Sequence, residues 1–193
     1  AVVYPNLNQR ERAAMQWYNP PAAWKEENGS LSVTTAAHSD FWRKTHYGFI
    51  RDNGHFYYQD APGDFILEVR VDGQYKDRYD QAGLMLRVDA ANWIKTGIEF
   101  FDGHQHVSAV VTREFSDWSV IRLAAPQPGL WLRVTRVAET VQVFYALDGQ
   151  NYSLLRLAYL QPSAVTQVGP MCASPDGAGF DILFHDFTVK ANT

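Results

Sequence analysis

The chain has 193 residues, with 17 Lys and Arg against 21 Asp and Glu, for a formal net charge of −4. That length suits one large domain, which buries roughly 70% of its unfolded surface without a disulfide or metal staple. The acidic balance argues against nucleic acid or an anionic membrane surface as partner, and 46% hydrophobic content argues for a globular rather than a disordered chain.

The opening, residues 1–14, is polar and charged and reads as a leader or added segment, with the domain running over 15–193. No apolar stretch of roughly 7–15 residues marks a secretory signal there. No run of about 18 apolar residues predicts a membrane-spanning helix. The composition suits a cytoplasmic setting. Residues 9–17 are a candidate short helix, and no longer window keeps a helical period. Strand patterns dominate from there on. Alternating runs lie at 31–35, 55–58, 65–72, 81–88, 93–101, 104–112, 120–123 and 130–137, then at 141–147, 152–157, 165–172 and 182–189. Turn dipeptides punctuate them: Asn28-Gly29, Asn53-Gly54, Asp72-Gly73, Asp102-Gly103, Asp148-Gly149 and Asp176-Gly177. Asp102-Gly103 and Asp148-Gly149 sit where tight hairpins are expected. About a dozen short strands predict an all-β fold, a two-sheet antiparallel β-sandwich of the jelly-roll type, with a closed barrel as the alternative.

Three strands can be registered from sequence. A two-residue turn at Asp102-Gly103 pairs Phe101 with His104, Glu99 with His106, Gly97 with Ser108, Lys95 with Val110 and Trp93 with Thr112. For the preceding hairpin, one register sets Arg87 against Lys95, a like-charge pair that is disfavoured. The other sets Gln81 against Glu99, Gly83 against Gly97, Met85 against Lys95 and Arg87 against Trp93, and is preferred. One face of this patch is apolar (Ala82, Leu84, Leu86, Ile94, Ile98, Val107 and their neighbours) and reads as core. The other carries Gln81, Glu99 and His106, then a row poor in side chains, Gly83, Gly97 and Ser108. Glycine inside a strand marks close approach by a ligand or by another backbone. A shallow groove on this face is the main candidate site, against a plainly solvated or loop-covered face. Lys95 and Glu99 lie about 13 Å apart along the strand and read as separate hydrogen-bonding groups.

Other chemistry is weakly supported. His104 and His106 share a face but lack a third ligand close in sequence, so no metal is expected. Catalytic carboxylates should flank a glycosidic bond about 5–9 Å apart. Glu99 with Asp102, and Asp181 with Asp186, have the wrong parity, leaving Glu99 with Asp80 or Asp117 as the cross-strand possibility. Asp72, Asp77 and Asp80 lack the glycine and glutamate of a calcium loop. Cys172 is a lone cysteine in an apolar run, so a disulfide or multi-cysteine zinc site is excluded and a buried, inert thiol is expected. No phosphate-cradling or dinucleotide glycine motif is present, and no cofactor is expected. Of six tryptophans, Trp17, Trp24 and Trp131 lie among apolar residues and read as core. Trp42, Trp93 and Trp118 lie beside polar groups, including Asp117, and suit packing against a sugar ring.

Several segments together carry a resemblance. They are Asp40-Phe41-Trp42-Arg43, Thr45-His46-Tyr47-Gly48-Phe49, Asn53-Gly54-His55-Phe56, residues 79–87, residues 92–99, Ser116-Asp117-Trp118-Ser119, residues 130–134, Asp148-Gly149, Ser174-Pro175 and Gly179-Phe180. Over about residues 15–189 the chain resembles the concanavalin-A-like domain family of unknown function that includes the yeast regulator-of-enolase protein. The resemblance implies a sandwich of the lectin/glucanase type whose concave sheet face commonly binds carbohydrate. The acid-rich catalytic strand of glucanases with that fold is missing, which weighs against an enzyme. The expectation is a non-catalytic binder of a carbohydrate or small polyol through Gln81, Lys95, Glu99 and His106, with Trp93 or Trp118 as stacking platform. A regulatory protein-interaction module and a cryptic glycoside hydrolase are the alternatives.

Overall fold

A computed structural model describes residues 13–192. Sixteen strands and no helix occur among them, so no described helix is long and apolar enough to cross a membrane. The first sheet runs in the order β1 (Gln16–Tyr18), β6 (His55–Pro62), β15 (Val165–Ala173), β8 (Gln81–Asp89), β9 (Asn92–Phe101), β10 (His104–Arg113) and β11 (Phe115–Arg122). The second runs β14 (Ser153–Tyr159), β13 (Thr140–Ala146), β12 (Leu130–Val137), β7 (Phe65–Gly73), β16 (Asp181–Ala191), β3 (Ser30–Thr34) and β2 (Ala23–Glu27). A separate hairpin, β4 (Phe41–Arg43) and β5 (Ile50–Asp52), belongs to neither. Two sheets with free edges make a sandwich rather than a barrel. The expected fold class stands.

The core lies between the sheets and is built by alternation. Leu67, Val69 and Val71 of β7 and Leu130, Leu132 and Val134 of β12 meet Leu84, Leu86, Ile94 and Val107 from the opposite sheet. Cys172 is buried among them, and burial pushes its thiol far above the usual range. The predicted registers of β8, β9 and β10 are all present, from Gln81 opposite Glu99 to His104 opposite Phe101. Asp102 and Gly103 both have positive φ, as the two-residue turn demands, and Asn28-Gly29 does the same between β2 and β3.

Four expectations are corrected. Residues 9–12 of the expected short helix lie outside the described residues, as do residues 1–12 of the expected leader. Gln16 and Trp17 are strand, paired with Tyr58 and Tyr57. Asp148-Gly149 is not a tight hairpin but part of a longer loop over 147–152. There Asp148 Oδ1 accepts the Gln150 and Asn151 N–H groups at 2.9 and 2.8 Å. Asp72-Gly73 closes strand β7 rather than forming a turn. Trp24 is 45% exposed, whereas Trp93 is 1% exposed, so the apolar or polar company of a tryptophan in sequence misjudges its burial.

Candidate functional site

The outer face of the first sheet carries a second apolar cluster. Phe56, Met171, Met85, Trp93 and Val110 rise from neighbouring strands, and Phe41 of the β4–β5 hairpin closes over them. The hairpin is pinned at several points. Arg87 grips Asp52 bidentately at 2.8 and 3.2 Å, and Tyr18 Oη donates to the same carboxylate at 2.7 Å. Ser116 Oγ accepts the Arg43 N–H at 2.9 Å. Lys95 Nζ donates to the Phe41 carbonyl at 2.7 Å, to Gln81 Oε1 at 2.6 Å and to Asp40 Oδ1 at 3.3 Å. Half of the predicted groove is therefore roofed, and Trp93 packs edge-on against Phe41 with ring centroids 6.2 Å apart. Trp93 is core and not a stacking platform.

The glycine row is not a ligand groove either. A Cβ on Gly83 would sit 1.8 Å from the Thr96 carbonyl oxygen, and one on Gly97 2.0 Å from that of Ala82. The two glycines let β8 and β9 approach each other, which is the backbone alternative that an in-strand glycine allows. Ser108 beside them is buried and bonded to Glu99.

What stays open is the end of the face beyond the hairpin. A cavity of about 630 Å³ is lined by Gln81, Lys95, Glu99, Val110 and Trp118 from the sheet. Asp40, Trp42, Tyr47, Phe49, Arg51, Arg78 and Tyr79 line it from the hairpin and loops, with His38, Asn53, Pro175 and Asp176. Glu99 Oε2 accepts hydrogen bonds from Ser108 Oγ at 2.9 Å and Trp118 Nε1 at 2.9 Å. Burial lifts the Glu99 carboxyl above its ordinary range, against the lowering pull of Lys95, Ser108 and Trp118. Trp118 thus has its indole nitrogen tied down while the residue is 39% exposed. Tyr79 has φ 67°, a left-handed conformation that costs a bulky residue strain and concentrates at functional sites. Its hydroxyl meets that of Tyr47 at 3.3 Å, and this bond, with burial, pushes the Tyr47 hydroxyl up to about 12.

Of the predicted site residues, Gln81, Lys95, Glu99, Trp118 and Trp42 line this cavity. The other six are placed differently: Gly83, Gly97 and Ser108 pack beneath it, and Trp93 lies under the hairpin. His106 stacks on Phe101 with centroids 3.7 Å apart and does not line the cavity. Asp117 sits on the exposed edge strand, 3.6 Å from Arg156. The carboxylate partners proposed for Glu99 do not meet it there: Asp80 is fully buried and bonded to Ser174, and Asp117 is outside. Asp40 and Asp176 are the other acids on the cavity wall, and sequence reasoning missed them, together with Tyr47, Phe49, Arg51, Arg78 and Tyr79. The signal for those in 40–51 was the density of aromatic and charged residues there, in segments that carried the family resemblance, and Tyr79 opens another such segment. Among the described residues no group of three His, Cys, Asp or Glu side chains is placed to hold a metal ion.

The comparisons agree with this architecture. A family described as "Protein of unknown function (DUF1349)" matches residues 17–192. Regulation of enolase protein 1 of Saccharomyces cerevisiae is 38% identical over 175 residues, covering 91% of this chain and 88% of that protein. The crystal structure of a functionally unknown protein from Saccharomyces cerevisiae superimposes with a TM-score of 0.89 at 37% identity, covering 93% of this chain and 97% of that one. The carbohydrate binding module CBM66 from Bacillus subtilis shares the fold, with a TM-score of 0.59 at 11% identity over 91% of this chain and 95% of that one.

Proposed function

Because the chain belongs to the DUF1349 family of proteins of unknown function, we propose its function from the cavity itself: it binds a carbohydrate or small polyol there without catalysing a reaction. One observation carries this reading. Buried hydrogen-bonding groups (Glu99, Gln81 and Lys95) form the floor of an open cavity whose walls are aromatic (Trp42, Tyr47, Tyr79 and Trp118). A sugar has this dual character, with hydroxyls for the floor and C–H faces for the rings. Among the described residues, no hydrogen bond engages Glu99 Oε1, which leaves an acceptor for a hydroxyl. Asp40 Oδ1 accepts from both Lys95 and the Phe41 N–H, which makes this carboxylate an anchor for the hairpin. The shared fold of a carbohydrate binding module is compatible with this reading. The hydrolase alternative narrows to Glu99 with Asp40 or Asp176, the acids that share its cavity, since burial raises the Glu99 carboxyl as a general acid requires.

A regulatory protein-interaction module is the second reading. The name of the yeast relative motivates it, and Ile121, Leu147 and Leu154 are large apolar side chains left exposed.

The test is a thermal-shift and calorimetric screen of monosaccharides and polyols on the wild type, Glu99→Gln and Trp118→Ala. A ligand present at about 100 times its dissociation constant adds about 2.7 kcal/mol of stability. Binding by the wild type that both variants weaken is expected. No stabilisation by any compound at high millimolar concentration overturns the carbohydrate reading, and release of new reducing ends overturns its non-catalytic part.

A further inference from the structure

A second cavity, of about 940 Å³, lies on the far side of the aromatic wall, and Trp42, Tyr47, Tyr79 and Trp118 line both spaces. Strand β11 contributes Phe115 and Asp117 to it, and β14 contributes Arg156, Leu157 and Tyr159. Each space alone has the size of a small-molecule pocket, about 300–1,000 Å³. Four rings shared between them make a divider within one cleft rather than a boundary between two sites.

The charge of the second space is one-sided. Arg78, Arg113 and Arg156 line it with His46, against one carboxylate, Asp117. That carboxylate is 69% exposed and already paired with Arg156 at 3.6 Å. Arg78 and Arg113 lie over the rings of Tyr79 and Tyr159, at 4.5 and 5.3 Å from their centroids. Among the described residues neither has a carboxylate within ion-pair distance. Arg78 spends one donor on the Tyr79 hydroxyl at 2.7 Å; a guanidinium stacked on a ring otherwise keeps its edge donors for a planar anion such as a carboxylate. A neutral ligand covering these groups would desolvate them without compensation.

We propose that the two spaces form one cleft for an extended acidic glycan. Resting on the carbohydrate reading above, one sugar unit occupies the Glu99 compartment. The chain then crosses the aromatic divider, so that an anionic unit faces Arg78, Arg113 and Arg156. The arrangement makes chain length and negative charge, rather than the identity of the first sugar alone, the determinants of affinity.

Calorimetric titration tests this with galacturonic acid, short oligogalacturonates, xylose and neutral xylo-oligosaccharides on the wild type and Arg113→Gln. Arg113 is exposed, so its replacement leaves the fold intact. Acidic oligomers are expected to bind about tenfold tighter than either the acidic monomer or the neutral oligomers. That advantage shrinks at high salt, because exposed charges are screened. Arg113→Gln is expected to remove about tenfold from acidic-oligomer affinity while leaving xylose binding unchanged. A length gain that is equal for neutral and acidic chains overturns the anionic assignment. Affinity independent of length, or an Arg113→Gln loss equal for xylose and acidic oligomers, overturns the two-compartment cleft while the carbohydrate reading stands. Absence of binding by any saccharide overturns both.

Discussion

Replacing Lys95 with methionine probes how the hairpin and the sheet are joined into a site. The side chain is 5% exposed. Its ammonium spends its three donors on Gln81, the Phe41 carbonyl and Asp40. Methionine keeps much of the stem and removes the charge, stranding one carboxylate and two carbonyl oxygens. Breaking a buried pair by removing one partner costs about 3–5 kcal/mol. The Asp40 side chain keeps 15% of its exposure, so some water remains to it and the lower end, about 3 kcal/mol, applies. With a urea slope of about 2–3 kcal/mol/M for a domain of this size, the midpoint falls by about 1–1.5 M. Tryptophan fluorescence during urea titration reads this directly. Adding Asp40→Asn to Lys95→Met removes the uncompensated charge and recovers about 1 kcal/mol, a coupling that additive sites do not show. A single-variant loss below about 1 kcal/mol, together with strict additivity in the double variant, would refute the idea that Lys95 clamps the hairpin to the sheet.

Gly97→Ala places a methyl 2.0 Å from the Ala82 carbonyl oxygen and 2.7 Å from the Gly83 Cα, forcing β8 and β9 apart. A loss of about 2 kcal/mol or more is expected in the same urea assay. Phe41→Ala empties the roof of the second apolar cluster. It should cost about 3–5 kcal/mol and shift Trp93 emission to the red as water reaches the ring. Glu99→Gln should flatten part of the pH dependence of stability. Burial raises the folded carboxyl above its ordinary value of 4.5, so the native chain holds this proton to higher pH than the unfolded chain does. Stability contributed by this group therefore falls as pH rises through the interval above 4.5, and the fall should be absent from the variant's pH series of urea midpoints.

Much of the sheet was legible because strand pairing obeys local rules. Asp102-Gly103 demands a two-residue turn, which sets β9 against β10 residue by residue. Repulsion between Arg87 and Lys95 then selects the register of β8 on β9. Alternation assigned Leu84, Leu86, Ile94 and Val107 to the core for the same reason, since a one-residue slip would turn every side chain over. The chemistry of the site was legible only in part. Gln81, Lys95, Glu99 and Trp118 were found because they lie on strands whose faces can be computed. Asp40, Tyr47, Phe49 and Arg51 were not, because they come from a hairpin and loop that dock across the sheet.

The amino-acid sequence by itself determined the strand content, the central registers and the residues available to one face. These follow from periodicity, turn chemistry and contacts between chain neighbours. Only the tertiary structure decided what covers that face. Phe41 reaches Trp93 and Met85 across some fifty residues of chain, turning half of a polar-looking surface into a second core. The contacts that hold it there, Arg87 with Asp52 and Lys95 with Asp40, join residues 35 and 55 positions apart. Such long closures depend on how whole elements pack, so no strand pattern records them. The same docking leaves Glu99 buried at the foot of an aromatic-walled cleft instead of on an open sheet.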